Sequence, residues 1–242
     1  MADTESTRSR VDELLRRQPH GDGGGIAEEL DRLCRAACED LTLLGAAATL
    51  MPSPAAHVVS AVSPEATREL EEAQFGAGEG PTHDAFTARR PVLVADLEPI
   101  GLSRWPGWAP LALAAGACAV YAFPLHIGAT IFGALTLYAG PTPNLDGRRL
   151  ETAFVFSEIA TEILLDASRS GEGQQLESHV DAALDTHAHV YQAQGMLMVD
   201  LGVSLAEALA RMRAHAWATE QSLTTLAGEI VAGLTRLPRD DQ

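Results

Sequence analysis

Between Val190 and Leu237 the chain sets three amphipathic helix patterns into fewer than fifty residues, and that brevity constrains its folding most tightly. A first apolar pattern runs to Val199 and stops at Asp200-Leu201-Gly202. Ser204-Leu205-Ala206-Glu207 reads as a capping box: Ser204 can accept from the third helical amide while Glu207 reaches back. The second helix then places Leu205, Leu209, Met212 and Ala216 on one stripe. Ser222 or Thr224 can cap a third helix with the stripe Leu223, Leu226, Ile230, Leu234 and Leu237. So small a core stands poorly alone and calls for something else to pack against.

Ala193-Gln194-Gly195-Met196-Leu197-Met198, then Ser204-x-x-Glu207-Ala208, Arg211-Met212-Arg213-x-x-Ala216 and Leu223-x-x-Leu226-Ala227-x-x-Ile230-Val231 follow in order. In these motifs and their spacing the segment closely resembles the ANTAR domain, an RNA-binding module of bacterial transcription antiterminators. Many members carry Lys where this chain has Gln194. The resemblance implies stem-loops in nascent transcripts as partners, with Ala193, Gln194, Gly195, Arg211, Arg213 and Trp217 as the RNA-binding set.

The side chains of that set suit the role. Arg213 and Trp217 lie one turn apart on a flank of the second helix, so a guanidinium and an aromatic face could clamp a phosphate and stack an unpaired base. The plainer alternative is that Trp217 completes the core and Arg213 covers its edge. Arg211 falls on the opposite flank beside His215, where charges usually meet solvent. Ala193 and Gly195 permit close approach, of a base or of another helix. Gln194 suits a base edge or a dimer seam equally.

Charge complicates this picture. The net charge of −16 is the wrong sign for general affinity towards polyanions, although most of the acidic excess lies outside residues 190–242. All 17 basic residues are Arg. Without Lys, a Schiff base or a phosphate-binding P-loop lysine is excluded, and with it many enzyme mechanisms.

The preceding residues read as a mixed domain. Residues 1–25 end in Gly21-Asp22-Gly23-Gly24-Gly25 and are expected to be a flexible lead-in, although Val11, Leu14 and Leu15 could form a short amphipathic turn. Ile26, Leu30, Leu33, Ala37 and Leu41 keep helical spacing. Apolar runs at Leu43–Met51 and His57–Val62 flank Pro52-Ser53-Pro54 and predict a strand pair. A half-solvated helix follows from Pro64 to Gln74, then the loop Gly76–Pro81, a short helix over Thr82–Ala88 and a strand at Pro91–Ala95. Ile100–Ala115 reads as a loop with a helix. Ala117–His126 and Thr130–Tyr138 predict a hairpin around Ile127-Gly128-Ala129. A last helix spans Asp146 to Ala167, with Leu150, Phe154, Ile159 and Ile163 inward. The fold class expected is α+β: an antiparallel sheet with helices, joined by a long helix to a three-helix bundle.

Gly78-Glu79-Gly80-Pro81-x-x-Asp84-Ala85, Pro91-Val92-Leu93-Val94-x-Asp96-Leu97, Phe123-Pro124-Leu125 and Gly133-Ala134-Leu135-x-Leu137-Tyr138 resemble the GAF domain as it occurs in GAF–ANTAR regulators. This second resemblance implies a sensor for an unidentified small molecule or signal. His83, Trp105, Trp108, Tyr121 and Phe123 could line a largely apolar pocket, although core packing suits Tyr121 and Phe123 as well. Cys34, Cys38 and Cys118 are too few and too odd for a disulfide framework. His57, His83 and His126 lack metal-ligand spacing, and no G-x-S-x-G elbow is present, so no metal, cofactor or catalytic residue is expected.

Leu176, Val180, Ala183, His187, Val190, Gln194, Leu197 and Leu201 alternate by four and three, the spacing of a coiled-coil seam; this predicts a parallel homodimer, the alternative being an amphipathic helix packed on its own domain. The boundaries expected are a sensor domain at 26–167, a linker and coiled-coil helix at 168–189, an RNA-binding domain at 190–237 and a tail at 238–242. No apolar run approaches the roughly 20 residues of a membrane span, and the first residues lack an apolar signal core, so a cytoplasmic regulator acting by antitermination is expected. The alternatives are a GAF-fold methionine sulfoxide reductase, for which two cysteines on one helix are poorly placed, a DNA-binding regulator, and a purely protein-interacting sensor. The third helix has Arg236 as its only cation, thin for duplex DNA.

Overall fold

The computed structural model describes residues 2–19, 25–53, 56–141, 145–169 and 187–238. Its centre is a five-stranded antiparallel sheet in the order β2-β1-β5-β4-β3, formed by β1 (Gly45–Ser53), β2 (Ala56–Ser63), β3 (Val92–Val94), β4 (Ala119–Ile127) and β5 (Thr130–Ala139). The predicted hairpins form at both places, and Gly128 supplies the positive φ of 56° that the β4–β5 turn requires.

Strand alternation divides the interior in two. Tyr121, Phe123, Leu125, Leu135 and Leu137 point to one face, under α1 (Ala2–Arg17), α2 (Ile26–Leu41) and α7 (Gly147–Arg169). Ile26, Leu30, Leu33, Ala37 and Leu41 of α2 are all buried there, as their spacing predicts. Val120, Ala122, Ala134 and Tyr138 point to the other face, under α3 (Thr67–Ala77), α4 (Pro81–Ala88), α5 (Leu97–Arg104) and α6 (Ala109–Ala114).

Three local expectations are corrected. The first residues form a helix, because Val11 inserts fully into the core and Leu14 and Leu15 pack beside it; residues 20–24 of the glycine run lie outside the described residues. Phe154 is 39% exposed and packs edge-on against Phe123 at 4.9 Å, at the rim of the core and not inside it. The α3 helix keeps Glu69 exposed, but its polar side is not solvated throughout, since Glu71 and Gln74 are buried.

The C-terminal helices are α8 (Ala188–Leu201), α9 (Leu205–Ala218) and α10 (Leu223–Val231). Ser204 caps α9 by accepting from the Glu207 amide at 3.2 Å, and Ser222 caps α10 by accepting from the Thr225 amide at 3.0 Å. The buried stripe of α9 is Ala208, Leu209, Met212 and Ala216, leaving Leu205 half exposed. The third helix stops six residues before Leu237: Gly233 takes a φ of 73°, Leu234 turns out to 79% exposure, and Leu237 folds back into the core. Among the described residues, that core takes in one from the other domain, Phe75 of α3.

Candidate RNA interface and its contact with the sensor domain

The six candidate RNA residues separate into three groups. Ala193 and Gln194 are buried, at 0% and 5% exposure. The Gln194 Nε2 donates to the Leu205 carbonyl at 2.7 Å, tying α8 to the start of α9. Its amide satisfies a carbonyl inside its own bundle. His187, Val190 and Leu197 are likewise buried within the chain, and Leu201 packs against the same core. The described part of the expected seam is therefore consumed internally; Leu176, Val180 and Ala183 lie outside the described residues.

Gly195, Arg211 and Trp217 form the accessible group. Gly195 is half buried, with open space around its Cα. Arg211 donates to Glu207 at 2.7 Å, one helical turn away and on the surface. Trp217 does not complete the core: it is 68% exposed.

Arg213 stands apart. Its Nε and Nη2 both donate to the Phe75 carbonyl, at 3.2 and 2.8 Å, and its guanidinium carbon lies 5.7 Å from the Phe75 ring centre. Gly78 makes this possible. It ends α3 with a φ of 71°, and a Cβ there would lie 2.6 Å from Arg213 Nη1. Burial pushes the guanidinium down to about 10, still charged at neutral pH.

Around this latch the two domains interlock. The Phe75 ring packs against His187 at 4.4 Å, His57 at 6.0 Å and Tyr191 at 6.4 Å. His187 Nε2 meets Glu72 Oε2 at 2.7 Å. Burial, the largest single influence, would raise the Glu72 carboxyl, but His187, His57 and Arg68 together hold it below its ordinary value. His187 Nδ1 and His57 Nε2 are buried without a hydrogen-bond partner among the described residues.

The five candidate pocket residues do not share a pocket. Tyr121 and Phe123 lie in the core beneath α2 and α7, whereas Trp105 and Trp108 lie under the opposite face of the sheet. Alternation along β4 dictates this separation. Trp105 Nε1 donates to Asp84 at 3.1 Å and Trp108 Nε1 to the Leu70 carbonyl at 3.0 Å, so both indoles are fixed in the core. His83 stands near Asp84; burial lowers its imidazole, Asp84 opposes that and Arg213 adds to it.

What sequence reasoning missed sits between α3, α4 and the sheet. Glu71, wholly buried, accepts from Thr49 Oγ1 at 2.9 Å, from Thr82 Oγ1 at 3.1 Å, from Tyr138 Oη, and from Gln74 Nε2 at 3.2 Å. Gln74 Oε1 accepts from the Thr82 amide at 2.8 Å, and Thr136 meets Thr82 at 2.7 Å. Gly80 leaves room for Gln74: a Cβ there would fall 2.2 Å from its Oε1. Burial, reinforced by Glu71, pushes the Tyr138 hydroxyl well above its ordinary range. The available signal was the pair of threonines, Thr49 and Thr136, inside otherwise apolar strands.

Both cysteines of α2 are free thiols that burial keeps protonated, Cys34 well above its ordinary value and Cys38 pushed up to about 12. No helix among the described residues is long and apolar enough to cross a membrane by itself.

Comparison with known proteins agrees with this architecture. The GAF domain family model matches residues 25–164 and the ANTAR domain model residues 178–231. The GAF domain of a phosphoenolpyruvate-protein phosphotransferase from Acinetobacter superposes with a TM-score of 0.51 at 10% identity, covering 70% of this chain and 97% of that one. The GAF domain of a phosphoenolpyruvate-protein phosphotransferase from Coxiella burnetii gives 0.50 at 11% identity, covering 71% and 98%. These likenesses establish the fold alone. No curated protein matches the chain. With a family model spanning more than half its length and a second domain behind it, the chain belongs to the GAF domain family and carries a C-terminal ANTAR domain, a pairing that fits a signal-responsive antitermination regulator.

Proposed function

We propose that this protein is a cytoplasmic RNA-binding regulator, whose GAF domain receives a signal and whose ANTAR domain binds stem-loops in nascent transcripts to prevent termination. It makes and breaks no bond. The observation that carries the reading is Phe75. A side chain from the sensor completes the core of the output bundle, and its carbonyl occupies one of that bundle's few cations. RNA contact then rests on Gly195, Arg211 and Trp217, with Arg213 joining once the sensor lets go. A homodimer would pair through the segment containing Leu176, Val180 and Ala183.

Stacking on Trp217 and base-edge bonds supply the affinity, because a chain of net charge −16 gains little from bulk attraction. A reductase reading is disfavoured by Cys34 and Cys38, whose thiols lack the thiolate character that redox attack needs.

The test is gel retardation of the whole chain with an RNA carrying two tandem stem-loops. Retention is expected at low salt, weaker in Trp217→Ala and Arg211→Ala. If the parent chain does not retain RNA at low salt, or if both variants retain it as the parent does, the reading fails.

A further inference from the structure

The boundary between the domains does not close completely. A cleft of about 880 Å³ opens between α3 and the Pro106-Gly107 turn on one side, and the end of α9 with the start of α10 on the other. Small-molecule sites typically measure about 300–1,000 Å³ and recur at domain boundaries. One wall is the Trp217 indole, 68% exposed, whose edge lies 3.6 Å from where a Cβ on Gly107 would stand. Gly76 widens the opposite wall: no heavy atom lies within 4 Å of where its Cβ would be.

The charged lining is unequal. Among the described residues, Glu69, Glu72 and Glu79 face the cleft against Arg213 alone. Arg213 already spends two donors on the Phe75 carbonyl, and Glu72 is held by His187. Glu79 holds the Gly107 amide through one oxygen, and Glu69 is exposed on α3. An entering anion meets carboxylates, whereas a flat cation meets an aromatic face on one side and negative charge on the other.

We propose that this cleft binds a planar aromatic cation, which stacks on Trp217 and pairs with Glu69 and Glu79. Both domains contribute contacts, so the molecule binds only the docked arrangement and by linkage favours it. Holding Arg213 on Phe75 then lowers RNA affinity, a consequence that rests on the RNA-binding reading; the site itself does not.

The probe is proflavine, titrated into the 242-residue chain without RNA and followed by its fluorescence anisotropy, with the anion 1-anilinonaphthalene-8-sulfonate as competitor. Saturable binding at one site per chain is expected. Trp217→Ala should weaken it at least ten-fold, and the paired change Glu69→Gln with Glu79→Gln several-fold. Gly76→Leu, whose side chain grows into open space, should abolish it while circular dichroism shows the fold retained. The proposal is overturned if proflavine shows no saturable binding, if Trp217→Ala and Gly76→Leu bind it as the parent does, or if the anion competes with equal affinity. A negative RNA retention result leaves this titration standing, and the converse holds.

Discussion

Two buried polar clusters meet along α3, and they are built to different standards. Inside the GAF domain, Glu71 is surrounded by donors from Thr49, Gln74, Thr82 and Tyr138, so a charge with no exposure is well accommodated. At the domain boundary, His187 Nδ1 is buried without a hydrogen-bond partner among the described residues, whereas His57 Nε2 lies 3.5 Å from Glu71 Oε2 at the edge of the first cluster. Such an orphan costs about 1–3 kcal/mol, recovered when water reaches it. The first cluster fixes the sheet to its helices. The second makes the ANTAR contact the weaker seam, one that opening relieves.

The largest effect expected from testing this contrast is at Glu71. Glu71→Ala strands several buried donors at once and should cost about 3–5 kcal/mol, read as a fall in the urea midpoint of the whole chain. A loss below 1 kcal/mol would show that the network is not the firm side. Phe75→Ala comes next, at about 3 kcal/mol from an emptied core site, but with protection from amide exchange lost in α8–α10 more than in the sheet. Uniform loss in both domains would contradict a separable boundary.

Arg213→Ala should cost about 1.5–3 kcal/mol, because it removes the charge-assisted donors to the Phe75 carbonyl. Smallest is the response to acid. The Glu72 carboxyl is depressed in the folded chain, so its contribution is present above its ordinary value and fades as pH falls through the folded one. Thermal midpoints measured from pH 6 down to pH 3 should therefore fall less steeply in Glu72→Gln than in the parent. Identical slopes would remove Glu72 from the seam.

Much of this was legible beforehand, for reasons the residues make plain. The α2 spacing and the two hairpins depend on local periodicity, and local periodicity is what a sequence displays. The expected pocket was not legible as such: placing Tyr121 and Phe123 beside Trp105 and Trp108 required looking past the alternation of β4, which sends them to another face. Glu71 reads as solvated until strands bearing Thr49 and Thr136 are laid beneath it. The internal partners of Gln194 and Arg213 were hidden for a shared reason. Polar side chains on a short helix look available for a ligand, and only the packed structure reveals the carbonyls of Leu205 and Phe75 that they satisfy.

The placement of the three tryptophans gives the molecule its own gauge. Trp105 and Trp108 are sealed in the GAF core at 1% and 0% exposure, whereas Trp217 stands in solvent at the edge of the ANTAR domain. An aqueous quencher such as iodide reaches one emitter and spares two. The natural chain thus emits in two separable parts, one blue-shifted and constant, one red-shifted and sensitive to whatever approaches the seam. Departure of the ANTAR bundle from Phe75 can be timed in a stopped-flow cuvette with no label attached.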